Sequence, residues 1–262
     1  MAGLLAVTAI SSAQAATVLV DDQFNDGGLG DGADPLDAIW TRSAGANGGF
    51  TVGAFSSSGN TTNALVNTSG NGFNLVKGSF TNGTALTNGG EGSSITLSFD
   101  FRFTTLPAAS NAGVRIGLGT GNSGDTFFVG TGGTASSGFA HFNAVDTTSS
   151  GVGVTTSPTP TLSINDTLSH SFVMTLTRTG TTSLLYSATI DGNTFTGTSS
   201  AIASNSFTFD RILIGEGSAA LFFNIDNVNV TLGAIPEPST YAALTGLSAL
   251  GLVALQRRRG SR

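Results

Sequence analysis

The chain has 262 residues and a formal net charge of −6, and only 10% of its residues are charged, against roughly 25% in an ordinary soluble domain. It contains no cysteine and 37 glycines, which argues against a disulfide scaffold, a thiolate metal site, a cysteine nucleophile and a long charged helix. The acidic balance, without a basic stripe in the interior, argues against nucleic-acid binding.

The N-terminus predicts a signal peptide over residues 1–15. A short apolar run ends in Ala13-Gln14-Ala15, the Ala-x-Ala pattern that signal peptidase cleaves. The run is too short to span a bilayer. No Lys or Arg precedes it, although a signal peptide normally begins with a basic segment. We therefore expect the true start codon to lie further upstream. A buried N-terminal helix or strand is the structural alternative.

Period-two alternation dominates the interior and predicts an all-β domain. It is clearest over Ile95–Phe103 and Phe172–Thr177, and Leu184–Ile190 precedes the hairpin signal Asp191-Gly192-Asn193. No stretch carries a convincing 3.6-residue period, and the segment 147–161 is predicted as a long loop. Many short strands between Gly/Asn/Ser turns predict an antiparallel, two-sheet β-sandwich of the jelly-roll type. Further strands are predicted at Thr17–Asp22, Asn74–Phe80, Val114–Leu118, Phe127–Val129, Gly138–Phe142, Phe207–Ile214 and Ala220–Leu232.

The last predicted strand changes its apolar phase. Phe223 and Ile225 point one way, whereas Val228 and Val230 continue the apolar face on the opposite parity. Side chains alternate strictly along a regular strand, so this switch requires one extra residue. The pattern therefore predicts a β-bulge at Asp226-Asn227.

The two ends of this domain resemble those of a concanavalin A-like (laminin-G/lectin-like) sandwich. The domain opens with Asp22-Gln-Phe24-Asn25-Asp26-Gly27, continues through Asp34–Trp40 and closes with Phe223–Val228. The resemblance implies a jelly roll of two antiparallel sheets in which the first and last strands are adjacent. Lectins, adhesion domains and glycanases all share this fold, so it does not assign an activity.

A dense set of aspartates between Asp21 and Asp37 suggests a structural Ca²⁺ site. Ca²⁺ takes six to eight oxygen ligands from carboxylates, carbonyls and water. If the end strands pair, Asp22, Asp26 and Asp226 become candidate ligands of one ion that staples the termini. EF-hand spacing is not met, and a solvated acidic loop with Asx-turns is the alternative.

Trp40 is the candidate ligand-binding aromatic residue, because sugars stack on aromatic platforms beside Asp and Asn side chains. Its alternative is burial near the first strand. Thr-x-Thr repeats occur at Thr175/Thr177 and from Thr194 to Thr198. Flat Thr arrays can bind ice, but Thr also favours the outer face of strands.

No catalytic residue is predicted. Glycoside hydrolysis needs two carboxyl groups about 5 to 9 Å apart, and the core has only two glutamates, Glu91 and Glu216, both flanked by glycine. The Glu-x-Asp-x-x-Glu motif of laminarinase-like sandwich enzymes is absent. His141 and His170 are far apart in the sequence, and no nucleophile elbow accompanies them.

The C-terminal residues 236–262 form three parts. Pro236-Glu237-Pro238-Ser239 is an extended, accessible segment, since the prolines prevent an upstream helix. A transmembrane helix is predicted over about residues 239–256; its uncharged stretch alone gives ~22 Å of helix against a ~30 Å bilayer core. The basic end, 257–262, carries Arg257, Arg258 and Arg259, which place the domain outside by the positive-inside rule.

This tail resembles the PEP-CTERM sorting signal of Gram-negative bacteria, which is also found on some exported ice-binding proteins. The resemblance implies recognition at Pro236-Glu237-Pro238 by an exosortase-type membrane enzyme. It also implies transient anchoring in the inner membrane and delivery to the cell surface or the extracellular matrix of a biofilm. A plain C-terminal anchor is the alternative.

The sequence thus predicts a signal peptide, a sandwich domain at 16–235 and a sorting tail. The expected function is that of an exported, non-enzymatic adhesion or carbohydrate-binding module, with extracellular polysaccharide as a partner and no cofactor beyond the possible Ca²⁺. A secreted glycan-active enzyme of the same fold and a structural matrix component without a small ligand are the alternatives.

Overall fold

The computed structural model describes residues 16–29, 36–42, 50–54, 63–67, 76–89, 93–105, 114–119, 126–130, 140–142, 144–147, 154–156, 162–199, 207–216 and 223–233. The secondary structure of these residues consists of β-strands. They are β1 (Thr17–Asp22), β2 (Ile39–Arg42), β3 (Phe50–Ala54), β4 (Asn63–Asn67), β5 (Val76–Ala85), β6 (Ser94–Phe103), β7 (Val114–Gly119), β8 (Thr126–Gly130), β9 (Ala140–Phe142), β10 (Ala144–Thr147), β11 (Val154–Thr156), β12 (Leu162–Ile164), β13 (His170–Arg178), β14 (Leu184–Ile190), β15 (Asn193–Ser199), β16 (Thr208–Glu216) and β17 (Phe223–Gly233).

The strands form two main antiparallel sheets. The large sheet has nine strands in the order β11-β15-β14-β13-β6-β17-β4-β3, with β1 also paired to β17. The small sheet has six strands in the order β10-β8-β7-β16-β5-β2, and β12 pairs with β9 separately. The predicted all-β, antiparallel, two-sheet architecture is confirmed.

The inner faces of the two sheets share one hydrophobic core. In β6 every second residue from Ile95 to Phe103 is buried, and β13 and β14 alternate in the same way. The small sheet contributes residues such as Ile116 and Ile212 to the same cluster. The stacked rings of Phe99 and Phe172, with centroids 4.9 Å apart, lie within it. Alternation therefore leaves the other face of the large sheet outside the core.

The first and last strands are neighbours, as predicted. β1 runs antiparallel to β17, with Asp22 opposite Val228. The predicted bulge is also confirmed, because the register between β17 and β6 shifts between Asp226 and Asn229. Asn227 takes a positive φ of 54° there, a conformation that asparagine tolerates better than most residues. Its side-chain amide donates to Asp100 Oδ2 at 2.7 Å.

The β14–β15 hairpin is confirmed at the predicted turn. Asp191 and Gly192 have φ values of 47° and 80°, and two successive positive values characterise the turn that matches strand twist. The loop prediction for 147–161 is wrong at Val154–Thr156, which forms the edge strand β11. Three residues beside glycine-rich sequence provide too little alternation to predict a strand.

Within the described ranges, no helix is both long and apolar enough to cross a membrane. The predicted signal peptide at 1–15 and the predicted tail at 236–262 lie outside those ranges. Both therefore stay predictions.

Candidate functional site

A buried carboxylate joins the two sheets at one edge. Asp22, at the end of β1 in the large sheet, is only 2% exposed. Its Oδ2 accepts hydrogen bonds from Trp40 Nε1 at 2.7 Å and from the Ala38 amide at 3.3 Å. Its Oδ1 accepts one from the Phe24 amide at 3.0 Å. Because Trp40 belongs to β2 of the small sheet, we call this arrangement the Asp22 latch.

The indole of Trp40 fills a space that a glycine leaves open. Trp40 is opposite Gly78 in the β2–β5 pair, and a Cβ on Gly78 would lie 2.8 Å from the ring. Phe24, buried in the core with a positive φ of 52°, lies on another side with its ring centroid 5.8 Å from that of Trp40. Burial raises the pKa of Asp22 above its ordinary value, although the hydrogen bonds from Trp40, Phe24 and Ala38 act in the opposite direction.

The latch brings into contact two residues that the sequence analysis assigned to separate sites. Both oxygens of Asp22 accept hydrogen bonds from protein N–H groups. Trp40 is 4% exposed, so its ring presents no face on which a sugar could stack. Burial near the first strand, the alternative for Trp40, is what the structure shows.

The other two candidate Ca²⁺ ligands are separately engaged. Asp26 Oδ1 accepts the Gly28 amide at 2.9 Å, which is the Asx-turn alternative. Asp226 is buried, accepts the Asn227 amide and is opposite Asp100 in β6. In the part of the chain that the structure describes, no group of three or more acidic, histidine or cysteine side chains could hold a metal ion.

A second polar cluster surrounds His170 at the start of β13. The ring Nδ1 lies 2.5 Å from Asp191 Oδ2 and the Nε2 lies 3.0 Å from Asp166 Oδ1. An ionised carboxylate only accepts hydrogen bonds, so both nitrogens donate when both aspartates are charged. Asp191 Oδ1 also accepts the Ser171 amide at 2.9 Å. The histidine thus ties the β14–β15 turn to the segment before β13.

The candidate glutamates do not form a described catalytic pair. Glu216 ends β16, and Glu91 lies outside the described residues. His141 lies in β9, whereas His170 begins β13.

The outer face of the large sheet carries a continuous line of hydroxyl groups, which we call the hydroxyl row. Thr96 is opposite both Thr231 and Thr175, and Ser187 is opposite both Thr175 and Thr196. The row therefore crosses β17, β6, β13, β14 and β15 with a hydroxyl on every strand. All its side chains are half-buried. The hydroxyls of Thr96 and Thr175 are 2.9 Å apart and hydrogen-bonded.

The rows on either side are also uncharged. One row consists of Asn229, Ser98, Val173, Thr189 and Thr194, and the other of Gly233, Ser94, Thr177, Leu185 and Thr198. Val173 and Leu185 are 42% and 40% exposed and lie on opposite sides of the hydroxyl row. The three rows together form a surface that we call the hydroxyl face.

Acidic residues border this face on the side that carries Ser98 and Val173. Asp226 and Asp100 are opposite each other one row beyond Ser98, and Asp191 contacts the neighbouring Ser171. Asp21 of β1 is exposed and opposite Asn229. Arg102 lies one row further out.

Arg178 ends β13 and is held away from the face. Its guanidinium donates to the carbonyls of Leu86, Gly180 and Thr181. Its Cζ stacks 3.9 Å from the ring centroid of Phe207.

The hydroxyl face offers both hydrogen-bond donors and acceptors. Each hydroxyl has one donor and two acceptor sites, and a strand-bound Thr side chain has restricted χ1 freedom. Fixed groups lose little entropy when a ligand binds. Sequence reasoning noticed Thr175/Thr177 and Thr194–Thr198 but not their alignment, because register across strands is not visible in a single repeat.

No protein-family model and no curated protein matches the sequence. Solved structures to which this chain is similar include the globular domain of T. cruzi calreticulin, with 10% identity, a TM-score of 0.46 and coverage of 94% of this chain and 100% of that one. The Emp47p carbohydrate recognition domain is 11% identical, with a TM-score of 0.47 and coverage of 86% of this chain and 100% of that one. Lectin UEA-II, solved with galactose, is 11% identical, with a TM-score of 0.40 and coverage of 74% of this chain and 98% of that one. These similarities are too low to bear on the function of this chain.

Proposed function

We propose that this protein is an exported, non-enzymatic carbohydrate-binding or adhesion module with a concanavalin A-like jelly roll. The observation that carries the proposal is the hydroxyl face, an uncharged polar surface on a rigid sheet. The predicted aromatic site at Trp40 is not part of the proposal, since that ring is buried.

The composition of the face supports a ligand rich in hydroxyl groups. Hydroxyl side chains can donate to and accept from sugar hydroxyls, while Val173 and Leu185 offer exposed apolar surface to the C–H faces of sugar rings. A neutral polar face of this kind lacks the charged groups that a phosphate or a metal complex would require.

The test of binding is affinity electrophoresis of the purified full chain in native gels that contain polysaccharide. Retardation without release of reducing sugar is the expected result. Release of sugar that disappears in Glu216→Gln or Glu91→Gln would instead establish the glycan-active enzyme. If the polysaccharide does not retard the chain and no sugar is released, the proposal is defeated. The structural matrix component is then the function that remains.

The export route is a second part of the proposal. We infer cleavage by signal peptidase after Ala15, transient anchoring in the inner membrane through about residues 239–256, and processing by an exosortase at Pro236-Glu237-Pro238. Expression in a Gram-negative host that carries an exosortase tests this route. Replacing the three residues by alanine is expected to retain the protein in the membrane fraction, whereas unchanged release would refute the sorting role.

A further inference from the structure

We propose that the ligand of the hydroxyl face is a neutral, flexible polysaccharide chain that lies along the hydroxyl row, across the strands. This inference rests on the proposed function and adds the direction, charge and stiffness of the ligand. Its three arguments are the continuity of the row, the charges around it and the twist of the sheet.

The direction follows from where the hydroxyl groups are continuous. Along β13 the outer-face hydroxyls are interrupted by Val173, and along β14 they end at Leu185. Along β6 and β15 they continue for only three positions, Ser94 to Ser98 and Thr194 to Thr198. Across the strands the row from Thr231 to Thr196 has no interruption. Neighbouring strands are about 4.8 Å apart, so a chain that crosses them meets a hydroxyl group at each step.

The two exposed apolar side chains agree with this direction. Val173 adjoins Thr175 on one side of the row, and Leu185 adjoins Ser187 on the other. A sugar chain presents hydroxyl edges and apolar C–H faces. A chain centred on the row therefore contacts hydroxyl groups beneath it and one apolar side chain on each flank.

The charge of the ligand follows from the border of the face. Asp100, Asp191 and Asp21 place carboxylates along the side of the uncharged centre that carries Ser98 and Val173, and the whole chain carries a net charge of −6. A polyanion would be repelled by this border. A polycation would find its counter-charges only at the edge, away from the hydroxyl row. A neutral polymer is the ligand that complements both centre and border.

The stiffness of the ligand follows from sheet twist. Adjacent strands rotate relative to each other by about 20–25°. Over the four steps from β17 to β15, the strand direction and the surface above it therefore turn by roughly 80–100°. A planar crystalline surface, such as ice or a crystalline fibre, cannot contact the whole row. A single flexible chain can follow the rotation, which is why we choose it over the ice lattice that Thr repeats also suggest.

Affinity electrophoresis of the full chain tests the charge argument. The gels contain dextran, pullulan or hydroxyethyl cellulose, or the carboxymethylated form of the same backbone. At least one neutral polymer is expected to retard the chain, and its carboxymethylated form to bind at least about tenfold more weakly because of repulsion by the acidic border. Equal or stronger binding of the acidic form would overturn the inference.

A variant of the row tests the position. Thr175→Val/Ser187→Ala/Thr196→Val removes three hydroxyl groups and keeps the shape of the strands. At the net value of a hydrogen bond for each of the three groups, this predicts about 10- to 1,000-fold weaker binding. The control, Thr181→Val/Thr208→Val, removes two exposed hydroxyl groups elsewhere and is expected to bind like the parent. Circular dichroism and urea unfolding verify that both variants fold.

The outcomes separate the two proposals. If no polysaccharide of any charge retards the chain, the proposed function fails. If polysaccharides bind but the row variant binds like the control, only the placement on the hydroxyl row fails. If the chain is dimeric by light scattering and the row variant is monomeric, the face holds a second copy and the inference is overturned.

Discussion

The Asp22 latch and the hydroxyl face are both polar, but they differ in how far their hydrogen-bonding capacity is used. Both oxygens of Asp22 are occupied by protein N–H groups in a buried site. The hydroxyls of the row are half-exposed, and only Thr96 and Thr175 are paired with each other at its centre. The comparison teaches that residue type alone does not identify a binding site. The closed site stabilises the fold, and the open one is available to a ligand.

The largest expected effect comes from removing the latch carboxylate. Asp22→Ala leaves the Trp40 indole N–H and two backbone amides buried without an acceptor, which predicts a loss of about 3 kcal/mol in the free energy of unfolding. Urea denaturation measures it. Asp21→Ala, the exposed neighbour, is expected to stay within about 0.5 kcal/mol of the parent. Equal losses in both variants would show that Asp22 has no structural role.

A smaller loss of unfolding free energy is expected when Gly78, the glycine beneath the Trp40 indole, is replaced. In Gly78→Ala the new Cβ would lie 2.8 Å from the Trp40 ring, so the indole has to shift and strain its bond to Asp22. Overpacking of this kind predicts about 2 kcal/mol. Urea denaturation with tryptophan fluorescence reports both the stability and the ring environment, since Trp40 is the only tryptophan. An unchanged midpoint and spectrum would contradict the tight fit.

The histidine cluster is expected to contribute less, because its two aspartates are partly exposed to water. His170→Leu removes both hydrogen bonds and the contact with the Phe101 ring, which predicts a loss of about 1 kcal/mol. Hydrogen exchange at the Asp191 amide, which donates to the Ser171 carbonyl, is expected to accelerate. Asp166→Asn keeps an acceptor oxygen for the histidine and is expected to lose less unfolding free energy than His170→Leu. A larger loss in Asp166→Asn would refute this account of the cluster.

The smallest effect is a pH dependence of the latch. A raised pKa means that folded Asp22 holds its proton more tightly than the unfolded chain does. Its contribution to stability is therefore fully present below the ordinary aspartate pKa and falls as the pH rises through the folded pKa. The difference in unfolding free energy between the parent and Asp22→Asn isolates this group. The unfolding free energy of the parent minus that of Asp22→Asn is expected to decrease as the pH rises over the acidic range. An increase would contradict the raised pKa of Asp22.

Local patterns predicted most of the fold correctly. The phase change between Ile225 and Val228 predicted the bulge that the positive φ of Asn227 accommodates. The Asp191-Gly192 pair predicted the hairpin turn. Short strands such as β11 were missed because three residues carry too little alternation.

The site was harder to predict than the fold. Asp22 and Trp40 have residue types that suit Ca²⁺ and sugars, but their roles depend on a hydrogen bond between residues of different sheets. The hydroxyl row depends on the register of five strands, which no local pattern determines. Its members each look like an ordinary outer-face Thr or Ser.

Threonine-methyl NMR tests the central claim most directly, because each methyl reports on the hydroxyl beside it. A titration of the labelled chain with a short, neutral oligosaccharide of the polymer that it binds is expected to shift the methyl signals of Thr96, Thr175 and Thr196. The signal of Thr208, on the small sheet, is expected to stay unchanged. Saturable binding that shifts Thr208 and leaves the three row signals unmoved would contradict the account.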